Sequence, residues 1–176
     1  MKKQLLIAGG TGLIGTAIKE SALSRGWEVM ILSREPGPGK MVWNPAKRTI
    51  SLAEVLTFDA IINLAGASIA GSKWTTARKK EIVDSRVDAA ATLEKYLQQG
   101  LLKAQTYIGA SAIGIYGDRG SEPLDEISPI VAEDQWMVNT VQLWEKAHAA
   151  IESLGIRTVI TRIGIVMSEK GGACLL

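Results

Sequence analysis

A glycine-rich turn close to the N-terminus constrains the fold of this chain more than any other feature. The apolar residues 5–8 lead into a turn that contains Gly9, Gly12 and Gly15, and further apolar residues follow at helical spacing. A strand, a glycine turn and a helix in this order begin a βαβ unit. The glycines let the backbone turn tightly and approach a pyrophosphate, which the helix N-terminus binds through its free N–H groups. The pattern therefore predicts a dinucleotide site.

The spacing of the glycines fits two versions of the dinucleotide motif. Gly10, Gly12 and Gly15 match G-x-G-x-x-G, whereas Gly9, Gly12 and Gly15 match G-x-x-G-x-x-G. Such a turn also occurs as plain structure, but the strand before it and the helix after it favour nucleotide binding. The residues expected to surround the pyrophosphate are Gly9, Thr11, Gly12, Leu13, Ile14 and Gly15.

Length and composition restrict the other classes of function. A chain of 176 residues is long enough for one domain with a core and too short for two ordinary ones. A net charge of +2 predicts no nucleic-acid partner, and no apolar stretch is long enough to span a membrane. A single cysteine, Cys174, and a single histidine, His148, predict neither disulfides nor a metal site and favour a cytoplasmic location. His148 is expected to be a surface or half-buried helix residue rather than a base.

Strands alternate with helices along the rest of the chain. The predicted strands are residues 4–8, 28–32, 41–43, 49–52, 59–64, 105–110 and 157–166. The predicted helices are residues 13–25, 76–99 and 134–154. This alternation predicts an α/β fold, a doubly wound parallel sheet of the Rossmann type with strand order 3-2-1-4-5-6. The long segment 116–133 is expected to be a lid or substrate loop, with a disordered excursion as the alternative.

A second turn and several short segments together resemble a known family. Asn-Leu-Ala-Gly follows the strand at residues 59–64, and Ser-Ala-Ile-Gly-Ile-Tyr-Gly-Asp follows the strand at residues 105–110. With the first glycine turn, these segments resemble the extended short-chain dehydrogenase/reductases. The closer likeness is to the atypical NAD-dependent epimerase/dehydratase subfamily called epimerase family proteins. The segments that carry this likeness are residues 63–66, 73–75, 81–86, 111–118, 144–145 and 162–164.

The resemblance implies a nucleotide-binding domain and an activity. It implies a Rossmann domain at residues 1–166, and residues 167–176 as the start of a C-terminal substrate domain. It also implies oxidoreductase or epimerase-like chemistry on a small polar or sugar-like substrate. Extended members of the superfamily often pair through two long helices, so a homodimer through residues 76–99 and 134–154 is expected.

The chain departs from the superfamily in its catalytic residues. A Tyr-x-x-x-Lys pair transfers the proton in the superfamily, and no tyrosine of this chain has a lysine four residues later. Ser111 is the best remaining catalytic candidate, because members carry a substrate-binding hydroxyl after the same strand. Tyr116 is the next candidate, although this tyrosine more often lines the pocket. The competing interpretation is a non-enzymatic NADP(H)-binding protein, and a pure protein-interaction module is disfavoured.

The end of the second strand indicates which nucleotide is preferred. NAD-binding folds usually place an acid there, whereas this chain has Ser33 and Arg34. A guanidinium binds a 2′-phosphate with paired, charge-assisted hydrogen bonds, and a serine hydroxyl adds one more. NADP is therefore preferred over NAD. Glu35 would repel the phosphate if it pointed inward, and the alternative for Arg34 is a solvated loop residue.

The remaining cofactor contacts follow from the resemblance and from the edge of the sheet. Small side chains after the central strand allow a ribose to approach. Charged residues on the following helix and at the end of the last strand match positions that look like cofactor contacts in the subfamily. Their alternative is an internal salt bridge or a surface pair. These candidates are Asn63, Leu64, Ala65, Glu81, Arg86 and Arg162.

Overall fold

The structure is a computed structural model that describes residues 2–70, 72–130 and 135–173. The strands are β1 (Gln4–Ala8), β2 (Glu28–Ser33), β3 (Lys40–Asn44), β4 (Thr49–Ile50), β5 (Leu56–Asn63), β6 (Leu102–Ala112), β7 (Arg157–Ile163), β8 (Met167–Ser168) and β9 (Gly171–Gly172). The α-helices are α1 (Leu13–Ser24), α2 (Thr76–Gln98) and α3 (Trp136–Glu152). Short 3₁₀ helices span Pro45–Lys47 and Ile113–Tyr116.

The main sheet confirms the predicted α/β class. Seven strands lie in the order β4-β3-β2-β1-β5-β6-β7, and only the pairing of β3 with β4 is antiparallel. The predicted order 3-2-1-4-5-6 differs in detail because the two short pieces at its edge form a hairpin. Arg48, with φ of 51°, lies in the left-handed region and reverses the chain after Pro45–Lys47. Thr49–Ile50 therefore adds an antiparallel strand outside β3.

The strands alternate in the face on which they bury side chains. Leu5 and Ile7 pack with α1 through Ala22, whereas Leu6 and Ile61 belong to the larger core beneath α2 and α3. This alternation follows from the two-residue period of a strand. None of the helices in the described segments is long and apolar enough to cross a membrane.

Strand β6 is longer than the apolar pattern predicts. It extends to Ala112 through Gly109, Ala110 and Ser111, residue types with little preference for strands. Pairing with β7 continues through Ala112 and holds this segment extended, whereas pairing with β5 ends at Gly109. At the other end of the chain, β7 stops at Ile163 instead of residue 166. Asp134, the predicted first residue of the third helix, lies outside the described residues, as does Cys174.

A buried polar chain crosses the core, and it corrects the expectation for His148. The imidazole is fully buried instead of lying at the surface. Its Nε2 donates to the carbonyl of Ala110 at 3.0 Å, and its Nδ1 lies 2.8 Å from the hydroxyl of Tyr107. Gly109 makes room for the ring, since a Cβ there would lie 2.6 Å from its Cγ. The helical position of His148 between two alanines shows none of this, because the partners come from a distant strand.

Burial of His148 predicts a specific acid sensitivity. Burial lowers the pKa of the imidazole from 6.5 to about 4, although the bond to Ala110 and the charge of Glu145 oppose the shift. The unfolded chain therefore takes up a proton between pH 6.5 and 4 while the folded chain does not. We expect the free energy of unfolding to fall by about 3 kcal/mol as the pH falls through this range. Urea unfolding measured at intervals of pH tests this.

The control is His148→Gln, which keeps a donor and an acceptor but does not titrate. His148 is the only histidine of the chain, so no other imidazole contributes to the slope. The variant is expected to lose most of the dependence between pH 6.5 and 5, where carboxylates contribute least. An equal slope in both proteins contradicts the prediction.

Candidate functional site

The two turns predicted from the sequence lie against each other at one edge of the sheet. Strands β1 and β5 are parallel neighbours, with Ala8 opposite Asn63, so both chains leave the sheet side by side. Gly9 has φ of 80°, and a Cβ on it would lie 2.8 Å from the carbonyl carbon and oxygen of Leu64. This close backbone approach requires glycine. It lies at the carboxyl ends of the strands where connections diverge to opposite sides, the usual ligand position in such sheets.

The first turn has the geometry of an anion site. Gly12 caps α1 with extended backbone, and no side chain occupies the cap. The helix N-terminus therefore keeps its N–H groups and its partial positive charge for a ligand. Gly15 lets α1 pack onto the turn, since a Cβ there would lie 2.3 Å from the carbonyl oxygen of Gly9. Thr11 is exposed, whereas Leu13 and Ile14 are half-buried.

A cleft of about 1160 Å³ runs from the first turn towards β2 and α2. Its wall includes most of the residues predicted to contact the nucleotide. Those residues are Gly9, Thr11, Gly12, Ser33, Arg34, Leu64, Ala65 and Glu81. A second cavity, of about 960 Å³, lies beside α1 and shares Thr11 and Gly12 with the cleft, but it does not reach Ser33 or Arg34. Leu13 and Ile14, predicted beside the pyrophosphate, line this second cavity instead of the cleft.

The β2 end of the cleft carries positive charge. Arg34 is exposed there, and Lys40 lines the same cleft from the start of β3. The Oγ of Ser33 accepts a hydrogen bond from the backbone N–H of Glu35 at 3.1 Å, which leaves the hydroxyl hydrogen free to donate. Glu35 also lines the cleft, so one carboxylate faces two cations. Sequence reasoning missed Lys40, because the Pro- and Gly-rich loop before it hides its return to the same edge.

Asn63 is fully buried and shapes the second turn from within. Its Oδ1 accepts from the backbone N–H of Ala65 at 3.1 Å, and its Nδ2 donates to the hydroxyl of Tyr107 at 3.0 Å. The side chain therefore supports Leu64 and Ala65, which line the cleft, instead of lining it itself.

Helix α2 buttresses the second turn from outside. Arg86 donates to the carbonyls of Ala67 and Ile82 and lies 4.9 Å from the ring centre of Trp144. Burial, with the nearby charge of Arg78, lowers the pKa of Arg86. The Oγ of Ser85 accepts from the N–H of Ala67 at 2.9 Å, a contact that the sequence did not suggest.

The two charged candidates on α2 therefore have different positions. Arg86 supports the turn through its contacts with the backbone, and it is not part of the cleft wall. Glu81 faces the cleft and pairs with Arg78 at 2.6 Å on an exposed surface.

Ser111, Tyr116 and Arg162 meet around Glu145 on α3. Ser111 donates to Oε1 of Glu145 at 2.6 Å, and only 1% of the serine is exposed. Arg162 binds both oxygens of the same carboxylate, at 2.9 and 3.1 Å, and donates to the hydroxyl of Tyr116 at 2.6 Å. Tyr116 in turn donates to the carbonyl of Asp125 at 2.8 Å. Arg162 is thus held in an internal ion pair, the alternative that the sequence had left open.

This cluster keeps its carboxylate charged. Burial acts to raise the pKa of Glu145, but hydrogen bonds from Arg162 and Ser111 together outweigh it, so the pKa lies below its usual value. The hydrogen bond to Glu145 raises the pKa of Arg162. The Ser111 hydroxyl thus donates a hydrogen bond to an anionic carboxylate, which is the arrangement of a proton donor beside a base.

The contact of Gly15 with the first turn predicts a strong effect of a single methyl group. Gly15→Ala places a Cβ against backbone atoms of Gly9 and Gly10, which cannot move aside without shifting β1 or α1. We expect the variant to lose about 3 kcal/mol of unfolding free energy. Gly12→Ala is the matched control, because its Cβ lies 3.4 Å from the nearest atom, an ordinary contact. Chemical denaturation compares the two, and an equal loss in both contradicts the packing described here.

Comparison with known sequences gives the family. The model of the NAD dependent epimerase/dehydratase family matches residues 5–173. Epimerase family protein YfhF of Bacillus subtilis is 36% identical over 177 residues, covering 98% of this chain and 58% of YfhF. Epimerase family protein SDR39U1 of Mus musculus is 34% identical over 172 residues, covering 97% of this chain and 57% of the mouse protein. The chain thus spans under three fifths of the length of these relatives.

Comparison with solved structures agrees. A crystal structure of human epimerase family protein SDR39U1 with NADPH superposes with a TM-score of 0.82 at 30% identity, covering 97% of this chain and 56% of the human one. A UDP-galactose 4-epimerase shares the fold, with a TM-score of 0.71 at 18% identity. On the family match and the site geometry together, the chain belongs to the NAD dependent epimerase/dehydratase family.

Proposed function

We propose that the chain binds NADP(H) and forms the nucleotide-binding part of an epimerase/dehydratase-like oxidoreductase. The observation that carries this proposal is the cleft that joins both turns to the positive end of β2. The similar human protein was crystallised with NADPH, which supports the same class of ligand here. Cleft and turns are formed by the described residues alone.

The preference for NADP(H) over NAD(H) rests on the β2 end of the cleft. Only NADP(H) carries a 2′-phosphate on its adenine ribose, and Arg34 and Lys40 supply two cations where that group would lie. Ser33 adds a free hydroxyl donor. At this end two cations and a hydroxyl outweigh the carboxylate of Glu35, whereas the other carboxylates of the cleft, Glu81, Asp84 and Asp88, lie on α2. The proposal therefore keeps NAD(H) as the weaker ligand.

Arg34→Ala tests this preference. Loss of one charge-assisted contact is expected to weaken NADPH binding about 10-fold, with little change for NADH, because NADH has no 2′-phosphate. Isothermal titration of the natural chain and the variant with both nucleotides measures this. Arg157→Ala is the control, since that exposed arginine begins β7 at the opposite edge of the sheet. Equal weakening for both nucleotides would show that Arg34 acts on folding instead.

The proposed chemistry is proton transfer coupled to hydride transfer on a small polar or sugar-like substrate. When bound, the nicotinamide supplies or accepts the hydride. Ser111 is the proposed proton-transfer group in place of the absent Tyr–Lys pair, and Glu145 accepts its proton. Arg162 keeps Glu145 charged and orients Tyr116. We further propose a homodimer through α2 and α3, a substrate-binding part that starts after residue 166, and a cytoplasmic location.

A non-enzymatic NADP(H)-binding protein is the second candidate. The burial of Ser111 favours it, because the residue is 1% exposed and its hydroxyl is bound to Glu145 instead of facing a substrate. In this alternative the nucleotide is a structural or redox-sensing ligand, and the cluster around Glu145 only joins α3 to β6 and β7.

Turnover separates the two candidates. The natural chain and Ser111→Ala are incubated with NADP⁺ or NADPH and a panel of sugar nucleotides, polyols and small carbonyl compounds. If the protein is an enzyme, we expect the absorbance of the nicotinamide band to change with time. Ser111→Ala should then lower the rate of this change at least 100-fold, the usual contribution of a proton-transfer group. Ser68→Ala is the control on an exposed loop serine. Retained nucleotide without turnover in either protein supports the non-enzymatic candidate.

A further inference from the structure

We infer that His148 and Tyr107 are positioning residues for the nucleotide cleft. They form a buried hydrogen-bonded chain that runs from α3 through Asn63 and sets the second turn from the inside. This inference rests on the proposed function and names two residues that act on that site without touching the ligand.

The donor and the acceptor of each hydrogen bond in this buried network are fixed by its neighbours. The carbonyl of Ala110 accepts, so Nε2 of His148 carries the hydrogen and Nδ1 must accept from the hydroxyl of Tyr107. The tyrosine oxygen is then left to accept from Nδ2 of Asn63. Oδ1 of Asn63 therefore faces the N–H of Ala65. The orientation of the Asn63 amide is therefore set by His148, at the α3 end of this hydrogen-bonded network.

The orientation of Asn63 matters because of what it holds. The Ala65 N–H that it binds belongs to the same backbone that approaches Gly9, where a Cβ would lie 3.0 Å from that nitrogen. If Asn63 flips or rotates, the second turn loses its internal support, and the separation of the two turns is no longer set. The cleft wall at Leu64 and Ala65 then shifts relative to the first turn.

Packing alone does not require polar side chains at these three buried positions. The positions of His148, Tyr107 and Asn63 are all fully buried, where apolar side chains would fill the space without desolvating polar groups. Burial raises the pKa of the Tyr107 hydroxyl and lowers that of His148, so both stay neutral at pH 7. A neutral network whose hydrogen bonds are all made fixes the orientations of its side chains without placing a charge beside the site. Helix α3 also carries Glu145, so one helix supports both Ser111 and the second turn.

Tyr107→Phe removes one oxygen and tests the inference directly. Nδ2 of Asn63 and Nδ1 of His148 both lose their partner, so NADPH binding is expected to weaken about 10-fold in isothermal titration. Tyr96→Phe is the matched control: its hydroxyl also makes two hydrogen bonds, both with the backbone of Ile50, but it lies away from the turns. Both variants are expected to lower the melting temperature, and only Tyr107→Phe to weaken NADPH binding.

Two further readouts separate positioning from simple stabilisation. His148→Gln keeps a donor and an acceptor and is expected to bind NADPH within a few-fold of the natural chain, whereas His148→Leu resembles Tyr107→Phe. As the single histidine, His148 gives one set of imidazole ¹⁵N resonances. NADPH is expected to shift its Nδ1 resonance in the natural chain and to leave it unmoved in Tyr107→Phe.

The outcomes distinguish the two levels of the proposal. If the natural chain does not bind NADPH, the proposed function fails and this inference fails with it. If the natural chain binds NADPH and Tyr107→Phe binds it equally well, the proposed function stands and the positioning role of the buried chain is wrong.

Discussion

The close backbone contact between Gly9 and the Leu64–Ala65 peptide is the constraint on which the rest of this structure depends. It exists because two parallel neighbours, β1 and β5, end at the same height and their chains diverge immediately afterwards. Neither turn alone makes a dinucleotide site. Together they form the wall of one cleft, with the N-terminus of α1 at its centre and the cations after β2 at its end.

The helices on the other face hold this contact in place from two sides. On the outside, Arg86 and Ser85 of α2 bind the backbone of Ala67, beyond the second turn. On the inside, His148 of α3 reaches the same turn through Tyr107 and Asn63. Several charged and polar residues that resemble ligand contacts in the sequence thus act on the backbone of the site. This explains why Asn63 and Arg86 are close to the cleft without lining it.

The sequence predicted what depends on neighbours along the chain. The residues of β1 were predicted without error, and α1 to within one residue, because a short apolar run, a glycine turn and a helical repeat are all local signals. The alternation of elements also predicted the parallel sheet and its class. The edge hairpin was missed, because Asn44 and Pro45 signal a turn but not the direction of the strand after it, which the left-handed residue Arg48 sets.

The site residues show the same division. Gly9, Gly12, Ser33 and Arg34 line the cleft, and each lies at the end of a strand or within four residues after it. Long-range partners decide the positions of the others. Arg162 pairs with Glu145 across 17 residues, and His148 is buried by partners 38 and 41 residues away. No pattern within one helix or strand indicates such contacts, so the prediction for His148 was wrong.

Hydrogen–deuterium exchange of the 176-residue chain with and without NADPH tests whether the cleft is the nucleotide site. We expect slower exchange in residues 9–13, 33–35 and 64–67, the three backbone segments at the carboxyl edge of the sheet. We also expect little change at Trp27 and Ile108, which line the cavity beside α1. Protection confined to that cavity, or no protection at saturating NADPH, would contradict the assignment of the cleft as the nucleotide site.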